Sequence, residues 1–260
     1  MSKRISEVFQ EGKAFIPFIT CGDPSLEVTE QIVYAAEEAG ADLIELGIPF
    51  SDPTAEGPVI QAASLRALSG GVTTDKIFEM VERIRKKTQI PMVFMTYANV
   101  VFSYGTERFA KRAAELGMNG MILPDVPFEE KEDFDHICKK YGLDFISLIA
   151  PTSKARITQI AKEAEGFVYC VSSLGVTGMR SEITTDIGAM VNLVKQEKKI
   201  PCAVGFGISN PEQAKKMALK SDGVIVGSAI VKLCETYGAD CVPHIRQYVK
   251  EMKDAIRYAG

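Results

Sequence analysis

Between Ile44 and Pro58 the chain reads IELGIPFSDPTAEGP, and two of its carboxylates stand in unusual company. Glu45 lies in the middle of an apolar run, between Ile44 and Leu46, and Glu56 lies on a proline-stiffened stretch, between Ala55 and Gly57. An ionised carboxylate taken out of water without a partner is costly, so its pKa rises. A carboxyl group that titrates near neutrality can both give and take a proton, which is what general acid/base catalysis asks of it. A cation reaching Glu45 from a covering helix would make it a structural ion pair instead, but its own run holds no basic residue. Catalysis is the better reading. The neighbouring acids differ. Asp23 in GDP and Asp52 in SDP precede prolines and suit turns, Asp23 as a structural residue. Asp125 in PDVP ends an apolar run and either faces a cavity mouth or caps the next helix.

Anion chemistry is written in glycine. Three glycine-bearing segments follow one another at the ends of apolar runs: GVTG (175–178), GFGIS (205–209) and VGSAI (226–230). Without a Cβ in the way, backbone N–H groups can close on a phosphate. Ser228 is placed to cap a short helix beginning at Ala229, whose N-terminus would add free donors and a positive dipole end. One such segment is an ordinary tight turn. Three in succession read as a phosphate site.

The elements that must carry these groups are legible as eight short apolar runs rich in branched residues. They span 14–20, 42–48, 91–97, 120–124, 144–150, 167–172, 202–207 and 223–229. Between them lie amphipathic stretches such as 26–39, 74–87, 107–116, 129–141 and 211–219. Strands apolar on both faces and alternating with helices imply parallel pairing with both faces covered. Eight βα units at this length predict an α/β fold of the (β/α)8 TIM-barrel type, one domain over 1–260, with its active site at the C-terminal face of the strands. Ile-Pro is expected to open three of the strands, at Pro17, Pro91 and Pro201. The gap from Ile48 to Pro91 must hold a long loop and two helical pieces. The competing open sheet lacks a GxGxxG after its first strand.

Bulk composition excludes several classes. A net charge of -4 offers no basic excess for nucleic acid. Lysine-rich runs such as RIRKKTQ and KQEKK end helical segments, where cations suit the macrodipole. Six cysteines form no CxxC pair, and His136 and His244 are far apart in sequence, so no metal spacing emerges. No secretory leader and no apolar run of about 18 residues is evident, and the expectation is a cytoplasmic protein.

Taken together, FIPFITCGDP, IELGIPFSDP with GPVIQ, MTYANVVF, PDVP, APTS, EGFVYCVSSLGVTG, VGFGIS and SDGVIVGSAIV resemble the tryptophan synthase α subunit family, in order and over nearly the whole chain. The resemblance implies a (β/α)8 barrel that cleaves indole-3-glycerol phosphate to indole and glyceraldehyde 3-phosphate. It implies no cofactor in this chain and a β subunit partner carrying pyridoxal phosphate, in an αββα assembly. By resemblance Glu45 is the general acid/base for indole C3 and the 3′-hydroxyl, and Glu56 partners the indole nitrogen. The same resemblance assigns phosphate to Gly178, Gly207, Gly227 and Ser228. It assigns the indole slot to Phe18, Ile60, Tyr97, Ile122, Tyr169 and Phe206, and it sets Thr177 on a closing loop and Asp52 and Pro53 at the partner interface. Ordinary barrel core is the plainer reading of the aromatics, of Phe18 most readily.

In one place the sequence departs from the family. Its loop reads Leu-Ala-Asp-Gly where this chain has Thr54-Ala55-Glu56-Gly57, so the second carboxylate is one methylene longer. The rival readings are a sugar-phosphate isomerase or aldolase and a silent barrel that only activates its partner. A Schiff-base aldolase needs a lysine within a strand and a metal-dependent epimerase needs paired histidines, and neither is present. Glu56 is the one feature that favours the silent barrel.

Overall fold

The computed structural model describes residues 5–172, 186–257 and 259. Its strands are β1 (Ala14–Thr20), β2 (Ile44–Gly47), β3 (Met92–Met95), β4 (Gly120–Ile122), β5 (Asp144–Phe145), β6 (Ser147–Ile149), β7 (Val168–Val171), β8 (Cys202–Gly205) and β9 (Gly223–Val226). They are hydrogen-bonded in the order β5-β4-β3-β2-β1-β9-β8-β7-β6, and every ladder is parallel. The two ends of that order are consecutive in the chain. Only Ile146 separates β5 from β6, and its N–H donates to the Met121 carbonyl at 2.9 Å. The ring therefore closes, and the molecule is a (β/α)8 barrel whose fifth strand is broken in two.

The break follows from barrel geometry. The first half of 144–149 pairs with β4 (Gly120↔Asp144) and the second with β7 (Ser147↔Val168), because tilted strands are staggered against their neighbours. Pro17 marks a similar hand-over. Residues 14–17 pair with β9 and 18–20 with β2, so the proline lies within β1, where one ladder gives way to the next, rather than at the strand's start. Pro91 and Pro201 do precede their strands.

Helices cover the ring: α1 (Ile5–Val8), α2 (Leu26–Glu38), α3 (Pro58–Ser69), α4 (Thr74–Arg85), α5 (Ala98–Tyr104), α6 (Thr106–Glu115), α7 (Glu132–Tyr141), α8 (Lys154–Glu163), α9 (Ile187–Glu197), α10 (Pro211–Ala218), α11 (Ser228–Tyr237) and α12 (Cys241–Arg257). Their starts are chemically marked. The side chains of Ser25, Thr73, Ser153, Asp186 and Asn210 each accept from a backbone N–H three residues on. The stretch from 129 to 141 is not one helix but a 3-10 turn, Phe128–Glu130, followed by α7. None of the described helices is long and apolar enough to cross a membrane.

Burial separates the two faces of each strand. Ile44, Leu46, Phe94, Val168 and Val204 pack outward with Ile32, Phe78 and Val249 of the helices. Ile16, Phe18, Val93, Ile122, Tyr169 and Ala203 pack inward, in the ring's interior. Glu45 lies between two outward residues and in register with Phe18 and Val93, so its side chain points inward.

Asp23 is tied to α3. Its carboxylate, 1 % exposed, accepts two bonds of 2.8 Å from the Arg66 guanidinium. This is the structural role expected of it. Asp125 is not on the cavity wall and does not cap the next helix; it accepts from the Ala98 N–H at 3.0 Å, at the start of α5, two helices back in the chain.

Candidate active site

A cavity opens at the carboxyl ends of the strands, with about 480 Å³ of empty space when its open mouth is included. β2 delivers Glu45 to its wall, and the segment that follows delivers Glu56 and Ile60. Phe18, Tyr169 and Phe206 supply aromatic surface, with the Tyr169 and Phe206 rings edge-on at 6.2 Å. Met95, Ile208 and Ile225 complete the apolar wall. Space for the rings comes from missing side chains. A Cβ on Gly47 would lie 2.4 Å from the Phe18 ring, and one on Gly205 would lie 2.4 Å from the Tyr169 hydroxyl.

Gly207, Gly227 and Ser228 line the same cavity. α11 starts one residue earlier than expected, at Ser228, with Gly227 at its N-cap and no side-chain cap bond. Ser228 thus does not cap the helix. It belongs to the first turn, ahead of the bond that Ile230 N–H donates to the Gly227 carbonyl at 2.9 Å. Amides in that position are unspent by the helix and suit an anion. Phe206 (φ 74°) and Gly207 (φ 82°) both adopt the left-handed region. That conformation is costly for an aromatic residue, and such strain gathers where a binding loop must hold one shape. The Ser172 hydroxyl secures it by donating to the Phe206 carbonyl at 2.6 Å.

The two acids are buried, Glu45 to 1 % and Glu56 to 8 % exposure. Among the described residues, neither oxygen of Glu45 has a hydrogen-bond partner, nor does Oε2 of Glu56. Buried polar atoms are rarely left so, and orphans in a cavity mark where a ligand is to bond. Burial first, and then the charge of Glu56, pushes the Glu45 pKa up from 4.5 to about 8. Burial pushes Glu56 from 4.5 to about 7. Above the mouth, Asp52 is exposed and Pro53 half-buried.

Two residues expected in the slot are not on the cavity wall. Ile122 is fully buried in the barrel interior. Tyr97, 2 % exposed, turns its hydroxyl to the loop, where it accepts from the Ala55 N–H at 3.0 Å. Thr177 and Gly178 lie outside the described residues. Met95, Ile208 and Ile225 were not singled out from sequence. The available signal was parity, since Met95 and Ile225 share the inward face with Val93 and Gly227. Among the described residues no group of three His, Cys, Asp or Glu side chains could hold a metal ion.

Residues 6–257 match the family model described as tryptophan synthase alpha chain. The chain belongs to this family. A tryptophan synthase alpha chain of Lacticaseibacillus casei is 48% identical over 256 residues, covering 98% of this chain and 96% of its own. That of Halalkalibacterium halodurans is 50% identical over 234 residues, covering 90% and 88%. Tryptophan synthase subunit alpha from Legionella pneumophila superposes with a TM-score of 0.89 at 38% identity, covering 98% of this chain and 99% of that one. A chain from the tryptophan synthase complex of Pyrococcus furiosus gives 0.85 at 33% identity, covering 94% and 98%. In this chain Glu56 lies on the same cavity wall as Glu45.

Proposed function

We propose that this cavity performs the family's reaction on indole-3-glycerol phosphate, with Glu45 and Glu56 at opposite edges of the indole ring. The activity is a carbon–carbon lyase step of tryptophan biosynthesis that yields indole and glyceraldehyde 3-phosphate. The observation that carries the reading is the pair of buried acids, both lifted toward neutrality, facing a flat apolar slot whose wall also holds Gly207, Gly227 and Ser228.

The chemistry is a retro-aldol-type cleavage. Protonated Glu45 gives its proton to indole C3, and the ring nitrogen becomes cationic. Ionised Glu56 faces that nitrogen and stabilises the charge, as an oriented counter-charge in a dry site does. Glu45, now a carboxylate, takes the proton of the 3′-hydroxyl. The bond from C3 to the side chain breaks, indole recovers its aromaticity and the aldehyde leaves. Glu45 ends protonated as it began, so the step balances within two side chains. Gly207, Gly227 and Ser228 hold the phosphate, together with Gly178. Phe18, Ile60, Tyr169 and Phe206 sandwich the ring, and Thr177 belongs to the segment that closes over it.

The assembly we infer is αββα, with the exposed Asp52 and Pro53 against a β subunit. Pyridoxal phosphate belongs to that partner, which condenses indole with serine. Indole is apolar, and direct hand-over keeps it from solution. We take residues 1–260 as one barrel domain working in the cytoplasm.

The test is release of indole from indole-3-glycerol phosphate by the isolated chain across pH. The productive form has Glu45 protonated and Glu56 ionised. Below about 7 Glu56 takes up a proton, and above about 8 Glu45 loses one. The expected kcat/KM profile is therefore a narrow bell that rises through the first value and falls through the second. Activation of a β subunit's serine chemistry without any indole release would instead support the silent barrel, the reading that Glu56 favours.

A further inference from the structure

The backbone at Ala55 and Glu56 is held from two sides by residues that the reaction itself does not use. On the side of β3, the Tyr97 hydroxyl accepts from the Ala55 N–H at 3.0 Å, across 42 residues of sequence. On the side of α3, the Gln61 side-chain amide donates to the Glu56 carbonyl at 2.8 Å. The Thr54–Ala55 peptide unit is thereby tied to the N-cap of α5, and the Glu56–Gly57 peptide unit to α3. Tyr97 is itself held, buried, at the N-cap of α5 with its ring 5.2 Å from that of Phe50. Ser51, Asp52 and Thr54, in the same segment, are exposed.

We propose that Tyr97 and Gln61 are positioning residues that form a clamp on the Glu56 main chain and set where its carboxylate enters the cavity. The inference rests on the acid/base reading above and deepens it. A glutamate is longer by one methylene and has one more rotatable bond than an aspartate. Its carboxylate can therefore sweep a wider arc from a given backbone, and only a fixed backbone confines that arc to the slot. An error of about 1 Å at a catalytic group can cost on the order of 100-fold in rate, so a clamp of this kind matters more here than for the shorter acid. The clamp also keeps Glu56 away from water, and burial is what lifts its pKa. The titratable groups facing Glu56 are Glu45 on β2 and the Tyr97 phenol at the N-cap of α5; Asp125, from the segment after β4, faces Tyr97 in turn. Gln61 of α3 adds no charge. Tyr97 thus acts on the loop through its oxygen.

Tyr97→Phe keeps the ring and deletes the acceptor; Gln61→Leu keeps much of the bulk and deletes the donor. Each is expected to lower kcat about 10-fold while KM for indole-3-glycerol phosphate stays within about twofold. Each should also move the acid limb of the pH profile downward, because a loosened Glu56 gains water and ionises more easily. The double variant should cost less than the product of the singles, since both act on one residue. Side-chain carboxyl NMR of Glu56 provides a readout that needs no turnover, and either variant should lower its pKa. An unmoved acid limb with an unmoved Glu56 resonance would overturn the clamp, as would a rise in KM alone. If the wild-type chain releases no indole, the catalytic reading fails, and the NMR titration still decides the clamp. Should Tyr97→Phe not fold, Gln61→Leu carries the test by itself.

Discussion

Replacing Glu45 by Gln is expected to lower kcat for indole release about 1000-fold, with KM changed by no more than a few fold. Gln keeps the size and the inward direction of the side chain but can neither protonate C3 nor take the hydroxyl proton, and general acid/base groups typically contribute 100- to 10,000-fold. KM should hold because substrate binding comes from the aromatic slot and the phosphate amides, which the change does not touch. The same variant makes a second, opposite prediction for stability. The folded chain keeps the Glu45 proton up to about 8, whereas the unfolded chain releases it near 4.5. Over that window the wild-type fold therefore loses stability as pH rises. Gln has no proton to lose, so at pH 8 Glu45→Gln should unfold at higher urea than wild type. A variant both inactive and less stable at pH 8 would indicate a structural bond made by the carboxylate, contrary to the orphaned state of both its oxygens.

Glu56→Ala is expected to cost about 100-fold in kcat. Removing an oriented group that meets developing charge in a water-poor site commonly costs between 100- and 1000-fold. Glu56→Gln should be nearly as poor, because the negative charge rather than the length faces the ring nitrogen. Glu56→Asp should stay within about tenfold of wild type, since it keeps the charge and shortens the arm by one methylene. The Gln variant carries an added signature. The charge of Glu56 is the second cause lifting Glu45, so without it the alkaline limb of the residual activity should shift down from about 8. Steady-state kinetics on the three variants distinguish these outcomes. An unchanged rate for Glu56→Ala would remove the residue from the mechanism.

What could be read from the sequence follows from what burial writes into it. Barrel strands are apolar on both faces, so eight runs stood out, and a lone acid inside one of them was conspicuous. The glycines were legible because a missing side chain is visible as such. The break at Ile146 was not, since it depends on the stagger of two other strands. The cavity wall was only partly legible for a related reason. Strand parity tells inward from outward but not height in the barrel, so Ile122 reads as a slot residue yet lies buried in the interior, while Met95 and Ile225 reach the cavity. For Tyr97, nothing local reveals that its oxygen also meets a loop 42 residues away. The partner of Asp125 was hidden likewise, since the Ala98 N–H at the start of α5 lies 27 residues away in the chain.

The most direct test is a crystal structure of the chain with an uncleavable indole alkyl phosphate bound. The account predicts the ring flat between Phe18 and the Tyr169–Phe206 pair, Glu45 beside C3, Glu56 on the N–H at the opposite edge, and the phosphate on the amides of Gly207, Gly227 and Ser228. A ligand whose phosphate bonds elsewhere, or whose ring leaves Glu45 and Glu56 on the same side, would contradict it.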